Sequence, residues 1–183
     1  MTRITLLSAT ALVSLGLTTA TLGTPAFAAD PPPPPQTASA PLAAASTPAF
    51  VKAVAAGNLF EIESSRLALT KAGALTVKHF AQQMIDDHTK AGERFRHALE
   101  EAKVEAPEAV LDDKHRAVLD SLKSTDAAGF DKAYVEAQFN AHVETVALFK
   151  AYSTAGDNGR MKQFADELLP TLQKHLDEVS KMR

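Results

Sequence analysis

From Pro48 to Arg183 the apolar residues recur at spacings of three and four, and no stretch sustains the alternation of a strand. That pattern predicts four long amphipathic helices. The first opens with Thr47 as its cap and Pro48 at its first helical position, continues to about Ala72 and ends at Gly73. The second runs from about Leu75 to Lys103, with Val77, Phe80, Ala81, Met84, His88, Ala91, Phe95 and Leu99 along one face. Pro107 closes the following loop, and Leu111 to Lys123 forms a short connecting helix. Ser124-Thr125-Asp126 caps the third long helix, which carries Phe130, Tyr134, Gln138, His142, Thr145 and Phe149 to about Tyr152. After a turn at Ala155 to Gly159, the last helix places Met161, Phe164, Leu168, Leu172, His175 and Val179 on its face. Pro170 interrupts its backbone ladder, which predicts a kink.

Four such helices pack most simply as an antiparallel four-helix bundle of ferritin-like architecture, all-α, with the short helix joining the second and third long ones. The domain is therefore residues 48–183. What precedes it follows another logic. Met1 to Ala28 has Arg3 as a basic start, an apolar stretch from Ile4 to Gly23, and the small-x-small triplet Ala26-Phe27-Ala28, the pattern of a secretory signal peptide cleaved after Ala28. Residues 29–47, with five consecutive prolines and many alanines, read as a solvated linker. The expected location is periplasmic or secreted, with no membrane span in the mature protein.

Charge and cysteine content narrow the function classes. Cleavage would remove only Arg3 from the 19 basic residues, leaving 18 against 22 acidic ones. A net charge near −4 argues against nucleic acid as a partner. With no cysteine, disulfides and thiol chemistry are absent. No phosphate loop, haem attachment motif or nucleophile elbow is present.

The chemistry sits on the inward stripes. His88, His142 and His175 each interrupt the apolar face of a different helix. Glu61 lies 12 residues before the Gly73 turn and His88 15 after it, roughly 18 and 22 Å along their helices. His142 and His175 are similarly level about the second turn. The first helix contributes a small, polar stripe of Val54, Asn58, Glu61, Ser65 and Ala68, which leaves two placements for Glu61, on the solvated rim or facing inward. With all four inward, the set Glu61, His88, His142 and His175 suits one transition-metal ion, Zn²⁺, Fe²⁺, Cu²⁺ or Ni²⁺, in preference to Mg²⁺ or Ca²⁺. Gln138, one turn before His142, is a candidate for orienting it from the second shell. Asp87, at the edge of the stripe in QQMIDDHTK, either pairs with Lys90 or Arg94 or reaches a neighbouring helix to orient a ring nitrogen. Asp86 faces solvent within reach of Lys90. His79 and His97 also face away, Glu93 and His97 forming an i,i+4 pair, and His115 is given no role.

A di-iron oxidase needs Glu-x-x-His on two helices, but Ile85, Phe139 and Leu172 stand three residues before the histidines. Classical ferroxidase chemistry is therefore disfavoured, and an enzyme is the less favoured reading. Two readings remain: a bundle binding a transition metal or small ligand, and a non-catalytic envelope or stress-associated interaction protein with a buried, hydrogen-bonded histidine network.

The segments FVKAVAAGNLFEIESSRLAL, HFAQQMIDDHTKAGERF, FDKAYVEAQFNAHVETVALF and FADELLPTLQKHL together resemble a bacterial family known as domain of unknown function 4142, secreted or periplasmic and classed as ferritin-like. The resemblance implies signature residues Glu61, Asp87-His88, Asp131, Tyr134, His142, Pro170 and His175. It carries no agreed activity.

Overall fold

The computed structural model describes residues 46–183. The stretch expected to be a signal peptide and nearly all of the expected linker lie outside the described residues. Five helices follow in order: α1 (Thr47–Lys71), α2 (Leu75–Ala102), α3 (Asp113–Ser124), α4 (Ala127–Ala155) and α5 (Gly159–Ser180), with no strand among the described residues. The long helices form a bundle in which α1 packs on α2 and α4, and α5 packs on α4 and α2, while α3 lies against α1 and α4. No helix among the described residues is long and apolar enough to cross a membrane.

The ends of the helices explain where they stop. Asp112, Asp126 and Asn158 each accept a hydrogen bond from the backbone N–H three residues on, at 2.8, 2.8 and 3.1 Å. They satisfy orphan donors of the first turn. The connecting helix consequently begins at Asp113 and not at Leu111. At the other end of α2, Lys103 adopts the left-handed conformation with φ 53° and closes the helix. Lys71 ends α1 and donates from Nζ to the carbonyls of Lys123 (2.7 Å) and Thr125 (2.6 Å), placing its charge where the dipole of α3 is negative.

Thr47 is not the cap of α1. It is already helical, Ser46 occupies the cap position without a side-chain cap bond, and the Thr47 hydroxyl instead bonds Tyr152 Oη at 2.6 Å and donates to Asp157. The distant partners win because they also serve the Thr47 N–H, which donates to Asp157 at 2.9 Å. Phe50 stacks on Tyr152 in the same place, with ring centroids 3.8 Å apart. Gly156 is required beside it: a Cβ there would lie 2.7 Å from the Tyr152 carbonyl and ring. The α1–α2 turn is held differently, by Asp131 of α4, whose carboxylate accepts from the N–H of Gly73 (3.0 Å) and Ala74 (2.8 Å). Helix α5 extends on both sides of Pro170, which sits on an exposed face.

Two apolar clusters fill the bundle. One gathers Phe50, Phe95, Phe149, Tyr152, Phe164 and Leu168, and the other Ala68, Phe80, Met84, Phe130, Tyr134 and Val179. Between them along α1 lie Glu61, Ser64 and Ser65, and the other long helices bring buried His88, Gln138, His142 and His175 to the same level. The core is thus apolar at both ends and polar in the middle. The latch at the first end is testable: Tyr152→Phe keeps the ring stack but removes the Thr47 bond, and should lower the unfolding free energy by about 1 kcal/mol in denaturant titration with helix content unchanged.

Candidate metal centre

The polar band is built by residues that the helical period brings inward from all four long helices. His88 is 5% exposed, His142 and His175 1%, and Glu61 3%. The ring centroids of the three histidines are 5.4 to 5.8 Å apart. One nitrogen of each ring lies within 4.8 Å of the other two, so a common point exists within about 2.8 Å of all three, and an inward shift of each ring by under about 1 Å would reach the 2.0–2.1 Å of a metal–imidazole bond.

The two nitrogens of each ring have different surroundings. His88 Nδ1 faces Asn58 Oδ1 at 3.1 Å, His142 Nδ1 faces the Gln138 carbonyl at 2.9 Å, and His175 Nε2 faces Asp87 Oδ2 at 3.0 Å. All three partners are acceptors, so each of these nitrogens carries the proton. The remaining nitrogens, His88 Nε2, His142 Nε2 and His175 Nδ1, are buried without a hydrogen-bond partner. Their lone pairs are left bare in the tautomer that the outer bonds select.

Burial disfavours the charged form of two of the rings. Burial holds His88 well below the ordinary 6.5, and the neighbouring His142 and His175 add to the depression. His175 is also lowered, by burial first, with the Asp87 hydrogen bond opposing it. Burial raises Glu61 above its usual 4.5, against the pull of His142, the Gln138 amide and His115.

Glu61 faces inward, which settles the two placements its stripe allowed, but it does not join the nitrogens. Its Oε1 lies 3.6 Å from His142 Nδ1, behind that ring, and the cluster of converging donors among the described residues consists of the three histidines. The reason is the register of α1, which sets Glu61 beside the outer edge of His142. Gln138 meets His142 through its backbone carbonyl, while its side-chain amide donates to Ser64 Oγ at 3.0 Å. Asp87 does both things open to it, with Oδ1 3.7 Å from Lys90 Nζ. Asp86 instead accepts from Gln82 at 2.9 Å, His97 pairs with Glu101 at 3.4 Å in place of Glu93, and His79 is exposed. His115 bonds the capping Asp112 at 2.9 Å and packs on Phe60.

Asn58 is the residue whose role the sequence did not disclose. Its position three before Glu61 on the polar stripe was the available signal. Gly92 makes room for it, since a Cβ there would lie 3.1 Å from Asn58 Nδ2.

The family profile described as Domain of unknown function (DUF4142) matches residues 32–182. The chain belongs to this family. Of the signature residues that DUF4142 resemblance implied, Glu61, Asp87, His88, His142 and His175 meet in the polar band, Tyr134 borders it through a 2.8 Å bond to Ser65, and Asp131 holds the α1–α2 turn. Among solved structures this DUF4142 chain is similar to "CopM in the Cu(II)-bound form", with a TM-score of 0.61, 16% identity, and coverage of 75% of this chain and 95% of that one. At that identity the likeness shows the fold. No curated protein matches the chain.

Two outcomes follow for the metal-free protein. His88 and His175 titrate lower in the folded than in the unfolded chain, so their contribution to stability is fully present above 6.5 and is lost as pH falls through their folded values. Glu61 acts in the opposite sense, contributing below 4.5 and losing that as pH rises through its raised value. Denaturant titrations in chelator should therefore show stability declining from pH 7 to 5, less steeply in His88→Gln. Gly92→Ala should raise stability by up to about 1 kcal/mol through helix propensity while displacing Asn58, visible as a changed His88 ring ¹⁵N shift.

Proposed function

We propose that the protein binds one transition-metal ion through His88 Nε2, His142 Nε2 and His175 Nδ1. Two observations carry this: each of three buried rings brings a nitrogen within 4.8 Å of one nitrogen of the other two, and one nitrogen of each ring has no hydrogen-bond partner while the opposite one is held by an oxygen acceptor. Leaving each inner nitrogen unpaired in the core costs about 1–3 kcal/mol. A cation at their centre offsets that cost, and the outer bonds to Asn58, the Gln138 carbonyl and Asp87 fix the tautomer and orientation of each ring. A purely hydrogen-bonded network would satisfy both sides of each ring.

Three neutral imidazoles suit Cu²⁺, Zn²⁺, Ni²⁺ or Fe²⁺. Copper is the first to test, because divalent copper binds such donors most tightly and because CopM, similar in fold, is described in a Cu(II)-bound form. Glu61 serves in this reading as the buried carboxylate behind His142 that balances the charge of the bound ion, in place of the fourth ligand its spacing suggested. With the secretory signal expected at residues 1–28, the site would operate in the periplasm or outside the cell, for sequestration, sensing or protection against free metal.

Elemental analysis and calorimetry of the purified protein test this. One ion per chain is expected, with affinity lowered at least about 100-fold in His88→Ala or His142→Ala and retained within about tenfold in Glu61→Gln. Absence of stoichiometric metal after loading, or binding unaffected by both histidine variants, would sink the proposal.

A further inference from the structure

Each histidine of the cluster is buried, so an ion has to pass between helices to reach it. Among the described residues, cavities reach the cluster from two sides. The smaller, about 40 Å³, meets His88 from the side of α1, where Asn58 and Glu61 line it among mostly apolar side chains such as Val54, Phe95 and Leu148, and it is too tight for a hydrated cation. Stripping a cation of water there is costly. The larger, about 120 Å³, lies between α2 and α5, with the buried His88 and His175 at its base, Ala91 and Thr171 in its walls, and Asp87 and Lys90 at its mouth. Its greater volume has room for several waters, so a cation can travel with part of its hydration shell.

Asp87 is placed to receive that cation. Its side chain is 29% exposed, its Oδ2 accepts from His175 Nε2, and its Oδ1 lies 3.7 Å from the Lys90 ammonium, which is 71% exposed. A contact so exposed is worth little and is readily displaced. The other cation beside the groove, Arg94, is engaged by Glu167 at 3.0 Å. Resting on the metal-site reading above, the geometry points to the α2–α5 groove as the route by which a divalent cation reaches and leaves the histidines, with Asp87 its first protein ligand and Lys90 the charge that opposes it. Asp87 thereby links the solvent side of the groove to the ring it orients.

Stopped-flow loading of the full chain with Cu²⁺, and transfer of the bound ion to a chromophoric chelator, read this out. Ala91→Leu fills part of the groove and should slow loading and release by the same factor, at least about tenfold, with Kd within about twofold, because an obstructed path raises the barrier without changing either end state. Lys90→Glu should speed loading several-fold at low ionic strength and lose that advantage at high salt. Lys123→Glu, the same charge change on α3, should not reproduce it. Thr171→Leu, from the opposite wall, replaces Ala91→Leu if that variant does not fold. Unchanged rates in the groove-filling variant, a weakened Kd with unchanged loading, or equal effects of the two lysine reversals would overturn the route while leaving the site standing. Failure of the wild-type protein to take up copper would refute the site and the route together.

Discussion

Everything distinctive about this bundle depends on holding three clustered imidazoles in its interior with one nitrogen of each turned to an acceptor and the other left without one. Buried polar groups are tolerated when they are paired, and here the pairing is one-sided. Asn58, the Gln138 carbonyl and Asp87 come from α1, α4 and α2 respectively, so the orientation of each ring is set by a different segment of the fold. His142 is held by the carbonyl of its own preceding turn, whereas His88 and His175 are held from neighbouring helices. The arrangement therefore exists only when all four long helices are in register.

The rest of the structure can be understood as what maintains that register. The apolar clusters above and below the polar band supply the packing energy that a polar middle cannot, and rings such as Phe50, Phe164, Phe80 and Phe130 fill them. The turns are tied by long-range bonds: Asp131 clamps the α1–α2 turn, and Thr47 ties the start of α1 to Tyr152 and Asp157 at the α4–α5 turn. Each tie fixes an axial position at one end of a helix pair. A helix slipped by one residue would rotate its histidine about 100° out of the centre.

The price of this design is conformational and electrostatic. Burial depresses His88 and His175 and raises Glu61, so the same low dielectric that favours neutral imidazoles also disfavours the carboxylate behind His142. A cation bound among the rings, as proposed, would reverse that balance, since it would stabilise the charged carboxylate and use the bare lone pairs. Asp87 stands apart from Glu61 in being partly exposed, which is why it can serve the ring on one side and the groove on the other.

The four long helices, their inward faces and the coincidence of three histidines were legible in the sequence, because a 3.6-residue period is a local property that survives in every apolar stripe. The absence of Glu-x-x-His and of cysteine was equally plain. Helix starts were less so. The apolar pattern starts the connecting helix at Leu111, before its cap at Asp112, and makes Thr47 a local cap, although its hydroxyl finds partners more than a hundred residues away. For Glu61 the stripe restricted the side chain to an arc that spans both rim and interior, and only the packing of α1 against α4 put the carboxylate behind His142 and not among the free nitrogens. Asn58 and Gly92 belong to the same class: their importance lies in a contact between helices. The sequence by itself determined which residues face inward, since that follows from angle along one helix. Which nitrogen meets which oxygen, and where a groove remains open, was decided by the tertiary structure, since those depend on the distance and register between helices.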